Sequence, residues 1–391
     1  LTNFKIMKPF QVFLHNDLVT EVLSVLPVKS LIRFKCVSKH WKTLISDHSF
    51  VKLHLRRSET RNLVLVTCHI IATPKEPDRS IVPYPIRRLL DNPLFMLFDD
   101  LNYHLNYKGC DYIVGSCNGL ILLAGEHFNC YFRNQDRSRS YWLSVWNPAT
   151  RSISKSFGYI HEFGESIYQA FNFAFGYDNS NETYKVAAFR YLPDKSEVRV
   201  LSLGDNVWRN VECFKDVILP YKYVYLSETI NWLAKDISVE QIVIISFDLT
   251  TETFKKMDVP GGFNGVLSCE PKPVLAVLGG CLCFSYYYEE MDFVIWKMNE
   301  FGVEDSWTLF LKMNGQNLGI DYDHSNYRYP WVPLLLSDDT LILTSSNESQ
   351  AILYNRRDNR VTRTNIIANR TNFSLEWEDA KVYVESLVPI F

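Results

Sequence analysis

The sequence predicts an α+β multidomain chain: a small three-helix module over residues 10–55, then an all-β, propeller-like body of about six blades over residues 60–391. Three observations predict it. Apolar residues from Leu14 onward recur at helical spacing. After Arg57 the period shortens to two, in short runs bounded by Asn, Asp, Gly and Ser. Paired runs then recur at a steady interval: Trp146, Leu201, Phe247, Trp296 and Tyr354 stand 55, 46, 49 and 58 residues apart.

Asn16 and Asp17 can cap a first helix carrying Leu18, Val19, Val22, Leu23 and Leu26, with Glu21 placed where the macrodipole favours an acid. Pro27 ends it. A second helix is expected from Ser30, with Leu31, Phe34 and Val37 on one face, and a third around Trp41, Leu44 and Ile45. The apolar rhythm continues from Phe50 to Leu55. A module of about 40 residues without disulfide or metal is at the lower limit of independent folding. Its apolar side chains also spread over more than one face of each helix. The excess must be covered by the rest of the chain or by another protein.

In the body, strands are expected at Leu63–Thr67, Asp111–Gly115, Leu120–Leu123, Trp142–Trp146, Val198–Leu203, Ile242–Phe247, Cys281–Tyr286, Phe293–Met298, Thr340–Thr344 and Ala351–Tyr354. The runs beginning at Asn118, Glu228, Gly280 and Asp339 read as the inner strands of blades. Blades of paired strands at this interval fit a propeller. An irregular stack of β-sandwiches is the competing architecture.

Net charge is only −3, so bulk electrostatics announce neither a nucleic-acid nor a membrane partner. The distribution is uneven. Residues 1–60 hold 10 Lys or Arg against 4 Asp or Glu, a balance of +6 that leaves −9 for residues 61–391. A basic head on a mildly acidic body suggests two units with different partners. The nine cysteines are odd in number and irregular in spacing, without a Cys-x-x-Cys, which argues against a disulfide scaffold or zinc ribbon. No secretory signal or bilayer-length apolar run is expected, and the four glycosylation sequons therefore carry no weight. Cytosol or nucleus is the expected location.

Enzyme signatures are thin. His161-Glu162 begins like a zinc-protease helix but lacks the second His, and neither a Gly-x-Ser-x-Gly elbow nor a phosphate-binding loop occurs. Glu289-Glu290 and Asp338-Asp339 sit in turn-like settings that suit solvated charge better than acid–base work. Cys281 and Cys283 share a strand face without further ligands and read as core. Tyr286, Tyr287 and Tyr288 suit a binding surface or a half-buried strand equally. No catalytic residue, metal or cofactor is expected.

The N-terminal residues carry a resemblance. Leu14, Leu18, Val22-Leu23, Leu26-Pro27-Val28-Lys29-Ser30-Leu31, Phe34, Val37-Ser38, Trp41, Ile45 and Phe50 stand at the spacing of the F-box. The family's opening Leu-Pro is replaced here by Leu14-His15. The body resembles the plant F-box-associated interaction domain (type 1), a kelch-like family that includes pollen S-locus F-box proteins. The residues are Gly115-Ser-x-Asn118-Gly119-Leu120, Trp146-Asn-Pro-Ala-Thr-Arg151, Phe175-Gly-Tyr-Asp178 with Tyr184-Lys-Val186, Ser246-Phe-Asp248 and Tyr383-Val-Glu-Ser-Leu387. Gly279-Gly280 is the one well-placed double glycine, so the repeat departs from regular kelch.

The resemblance implies a non-catalytic, substrate-recruiting adaptor subunit of a Skp–cullin–F-box ubiquitin ligase. It would dock on a Skp-type adaptor, and through it on cullin, by Leu14, Leu18, Leu26, Pro27, Val28, Leu31, Val37 and Trp41. Some of these would serve the module's own packing instead. Lys29, Arg33, Lys35, Lys39 and Lys42 would rim the contact. The β body would hold an unidentified target protein, with the polar segments Glu126–Tyr141 and Gly315–Tyr329 as target-facing loops. The alternative is a stand-alone propeller, as a binding module or as an enzyme of the kelch-like copper-oxidase kind. That alternative gives the helical module no role.

Overall fold

The computed structural model describes residues 16–58, 62–70, 78–92, 94–97, 109–129, 138–163, 169–192, 195–214, 217–218, 222–261, 263, 272–288, 292–320, 330–345, 348–368 and 373–390. Four helices form at the N-terminus where three are expected: α1 (Asn16–Ser24), α2 (Val28–Phe34), α3 (Lys39–Ser46) and α4 (His48–Ser58). α2 starts at Val28, ahead of Ser30, because Pro27 takes the cap position with φ −59° and ψ 145°. Its carbonyl accepts from Ser30 N (2.9 Å) and Leu31 N (3.2 Å). Ser38 caps α3, its Oγ accepting from Trp41 N at 3.1 Å. The expected third helix divides at Asp47, whose Oδ1 accepts from Ser49 N (2.9 Å) and Phe50 N (3.3 Å). A carboxylate that caps a new start ends the old helix.

Among the described residues the body holds six antiparallel sheets and one parallel pair, Asn365–Ala368 with Leu94–Leu97. Blade two has Tyr112–Cys117, Leu120–Asn129, Ser138–Asn147 and Ser152–Ile153, with Phe157–Phe163 added beside the third strand. Blade three runs Asn172–Asp178, Thr183–Leu192, Lys195–Ser202 and Arg209–Val211. Blade four has Tyr223–Leu226, Thr229–Asp236, Gln241–Asp248 and Phe254–Asp258. Blade five has Val274–Leu278, Cys281–Tyr288, Asp292–Met298 and Trp307–Asn314. Blade six has Val332–Ser337, Thr340–Thr344, Ile352–Asn355 and Arg360–Arg363. Blade one joins the two ends of the chain: Phe373–Val384 pairs with Asn62–Ile70, which pairs with Asp78–Pro85.

The first strand of each blade touches the first strand of the next, from Phe373–Val384 round to Val332–Ser337 and back. Six apolar cores match that ring, one between each neighbouring pair of blades. The ring is therefore closed: the C-terminal strand takes the axial place in a sheet begun by the N-terminal strands. This is a β-propeller. The anchors Trp146, Leu201, Phe247, Trp296 and Tyr354 all fall on third strands.

Two readings of the sequence need correction. The runs starting at Asn118, Glu228, Gly280 and Asp339 lead into second strands, not the axial ones. Second strands such as Leu120–Asn129 and Thr229–Asp236 are buried on both faces over most of their length and so read as long apolar runs. The segment Glu126–Tyr141 is not a loop over its flanks. Glu126–Asn129 pairs with Ser138–Tyr141 in register, and only residues 130–137 lie outside the described residues. A hairpin that projects into solvent carries polar residues and reads as a loop. Gly315–Leu318 forms a 3-10 turn with Gly315 and Leu318 buried, while residues 321–329 lie outside the described residues.

Candidate adaptor-docking face

α1 and the turn that follows it carry two apolar stripes. Val19, Leu23 and Leu26 face inward and pack with Val28, Leu31, Ile45, Phe50 and Val51. Leu18, Val22 and Val25, at the same i, i+4, i+7 spacing, stand 57%, 63% and 45% exposed. Val37, in the turn after α2, is 65% exposed. Water-facing stripes of this kind are unusual on a short helix that has already filled its core.

The expected docking residues divide accordingly. Leu18, Pro27 and Val37 are exposed. Leu26 and Trp41 are half-buried against the helical core, with the Trp41 ring edge-on to Phe34 at 5.3 Å. Val28 and Leu31 are fully buried among the module's own residues. Leu14 lies outside the described residues. Val22 and Val25 complete the outer stripe and were absent from the expected set, although their spacing from Leu18 is visible in the sequence.

Lys29, Arg33, Lys39 and Lys42 are exposed around this face, and Lys35 is half-buried. Burial, and then repulsion from Lys42, lowers the Lys35 ammonium below its ordinary value. The helices are held together by polar groups that hydrophobic periodicity conceals. Buried His54 places Nε2 at 2.9 Å from the Leu26 carbonyl and stacks on Phe50. Arg57 donates to the Glu21 carbonyl and to Ser24 Oγ, and pairs with the Glu21 carboxylate at 2.7 Å.

The module sits on one end of the propeller. Leu387 completes its apolar core, with Val388 and Ala149 packed alongside. The Asn147 amide, wholly buried, donates to the carbonyls of Ser386 (3.1 Å) and Val388 (2.9 Å). Its oxygen accepts from Ala149 N and Thr150 N. Tyr383 Oη accepts from Ala149 N at 3.2 Å. Across the same end, Glu182 accepts from Lys52 at 2.5 Å and lies 3.4 Å from His48 Nε2.

Between blades three and four lies a buried ionic group. Lys185 pairs with Asp178 and Glu252, both at 3.0 Å, and donates to the Leu249 carbonyl. Arg209 closes it on Glu252 at 2.8 Å. Burial alone would raise the Asp178 carboxyl, but hydrogen bonds from Asn181, Lys185 and Thr250 outweigh it and hold the group well below the usual carboxylate range. Burial pushes the nearby Cys117 thiol up to about 12, outweighing the lowering influence of the Tyr225 hydroxyl. A thiol so held is neither a nucleophile nor a ready metal ligand. Among the described residues no group of three or more His, Cys, Asp or Glu is placed to hold a metal ion. No helix among them is long and apolar enough to cross a membrane.

The model of the F-box associated beta propeller domain matches residues 99–390, and that of the F-box domain matches residues 14–53. The chain is 28% identical to an F-box/kelch-repeat protein of Arabidopsis thaliana, covering 96% of each chain. It is 27% identical to the Arabidopsis thaliana F-box protein CPR1, over 75% of this chain and 71% of that one. Among solved structures it is similar to TolB from Acinetobacter baumannii, with TM-score 0.40 and 10% identity over 86% of this chain and 72% of that one. The chain belongs to the F-box proteins whose body is an F-box associated β-propeller domain.

Proposed function

We propose that the protein is the substrate-recruiting subunit of a Skp–cullin–F-box ubiquitin ligase. The outer stripe of α1 carries the proposal. Leu18, Val22 and Val25 are exposed although the inner stripe has already filled the helical core, so the module has apolar surface to give to a partner. A Skp-type adaptor would cover that stripe, with Pro27 and Val37 at its margin and Leu26 and Trp41 supporting it from beneath. The basic rim would steer an acidic partner toward it. The subunit itself performs no bond chemistry; it holds a target near a charged ubiquitin carrier and raises its effective concentration.

Topology supports a place for the target. Turns between first and second strands, and between third and fourth, carry Gly119, Ala149 and Glu182 and lie against the C-terminal segment or the helices. Hairpin tips between second and third strands therefore lie at the other end, with the connections between blades. Exposed Phe128, Phe163, Ile237, Val239 and Tyr288 stand there. Neighbouring charges are already matched: Arg139 with Glu126, Lys256 with Asp236, Lys312 with Asp292. Such a rim suits a protein target held by apolar contact more than by charge.

The test is reconstitution. The full chain, a Skp-type adaptor and a cullin are mixed and resolved by size. Co-elution of all three from wild type, and of adaptor and cullin without the chain when Leu18→Glu and Val22→Glu are combined, supports the reading. Co-elution unaffected by those substitutions removes it.

A further inference from the structure

The strand that closes the propeller is followed directly by the segment that completes the helical module. Phe373–Val384 takes the axial place of blade one. Its continuation buries Ser386 and inserts Leu387, 4% exposed, among Leu23, Val28, Leu31, Ile45, Phe50 and Val51. Val388 packs against the helical core and also against the core between blades two and three, where Ile390 joins it. The segment is fastened from below. Asn147 satisfies the Ser386 and Val388 carbonyls, and Gly119 lets the chain approach so closely that a Cβ there would lie 2.4 Å from the Ser386 side chain.

Three of the motifs quoted from the sequence, around Gly119, Asn147 and Tyr383–Leu387, thus meet at one corner beneath the helices. None of them stands at the far rim. Four short helices without disulfide or metal lack the area for a stable core of their own. Here part of that core comes from the other end of the chain.

We propose that the F-box is a dependent module, completed and oriented only when the propeller has closed. Closure delivers Leu387 and Val388; without them α1 loses packing behind its inner stripe, and the outer stripe loses its fixed presentation. A chain whose C-terminal strand has not entered blade one would then lack a formed adaptor face. Adaptor loading would report that the target-holding domain is complete. The inference rests on the proposed function only in this last step.

The experiment is native-state amide exchange on the full chain, comparing wild type with Asn147→Leu and with Leu387→Ser, followed by titration of each with a Skp-type adaptor. In both variants the amides of α1–α4 should exchange on the order of tenfold faster, the factor that about 1.4 kcal/mol represents, with blades four and five unchanged within about twofold. Adaptor affinity should fall in step with the lost helical protection. Two results overturn the proposal: α1–α4 amides unaffected in both variants, or blades four and five losing protection as fast as the helices in both. Accelerated helices with undiminished adaptor affinity would overturn the loading step. A wild-type chain that does not bind the adaptor speaks against the proposed function, while the exchange result still decides the coupling of the two modules.

Discussion

The Asn147 side-chain amide donates to the Val388 carbonyl at 2.9 Å, joining residues 241 positions apart in sequence. The contact exists because Gly119, with φ +76°, leaves room for the segment to pass. A Cβ at Gly119 would meet Ser386 at 2.4 Å and the Val384 carbonyl at 2.6 Å. Gly119→Ala is therefore expected to cost about 2 kcal/mol or more, from left-handed strain and displaced chain together. Urea unfolding with an unchanged midpoint would show that the segment is not held there.

The ionic group between blades three and four gives a second expectation. Lys185 has 6% of its side chain exposed and Asp178 none. Removing one partner leaves a buried charge uncompensated, so Lys185→Ala should lose about 3–5 kcal/mol. Replacing both ends by apolar residues of similar volume should cost less. Equal losses in the two variants would mean that shape matters there more than charge.

Acid should weaken the fold through its paired carboxylates. Lys256 and then Ser238 hold Asp236 at about 2, against an ordinary 3.8. Asp178, Glu197 and Glu252 are also lowered: in each, hydrogen bonds from neighbouring donors outweigh the upward push of burial. A carboxyl lowered on folding stabilises the native state fully above its unfolded value and loses that contribution as pH falls through the folded value. The thermal midpoint should therefore be flat above pH about 5 and fall steadily from about 4.5 toward 2. A midpoint insensitive to acid over that window would contradict these pairings.

Thiol reactivity offers a simple check of burial. Cys36 is exposed, whereas burial pushes Cys110 up to about 11 and Cys117 and Cys283 to about 12. Iodoacetamide at pH 8 should label Cys36 in the native protein and spare the other three until urea is added. Native labelling of Cys117 at the rate of Cys36 would rule out the closed core between blades two and three.

At the far rim, Phe163 is 72% exposed, and Phe128, two strands away on the other face of the same sheet, is 41% exposed. Phe163→Ser and Phe128→Ser should change stability by no more than about 0.5 kcal/mol and leave adaptor affinity unchanged. Once a target is in hand, the same variants should weaken its capture. A large stability loss would mean these rings are structural.

Much of this was legible. Apolar spacing gave the helices of the N-terminal module, and alternation gave the strands, whose anchors Trp146 to Tyr354 proved to be equivalent third-strand positions. Blade one was not legible, because Phe373–Val384 pairs with Asn62–Ile70 across more than 300 residues and repeats nothing nearby. Of the axial strands, Tyr112–Cys117 was legible as a run at Asp111–Gly115, whereas the four-residue Tyr223–Leu226 was too short to stand out. On α1, composition marked every apolar residue alike; only burial separates Leu23 from Val22, its neighbour on the opposite stripe. Asn147 sat within a quoted motif, but nothing local discloses that its partners lie at the other end of the chain.

The central claim is that the outer stripe of α1 is adaptor-binding surface, and titration calorimetry addresses it most directly. A Skp-type adaptor is titrated into wild type and into a Leu18→Ala, Val22→Ala variant, with the unfolding midpoint of each recorded. The account expects binding to wild type, and affinity lower by about 30-fold or more in the variant, for at least about 2 kcal/mol lost from buried anchors. The midpoint should stay the same, because both side chains are exposed in the free protein. Equal affinity in the two, with wild type binding, would contradict it.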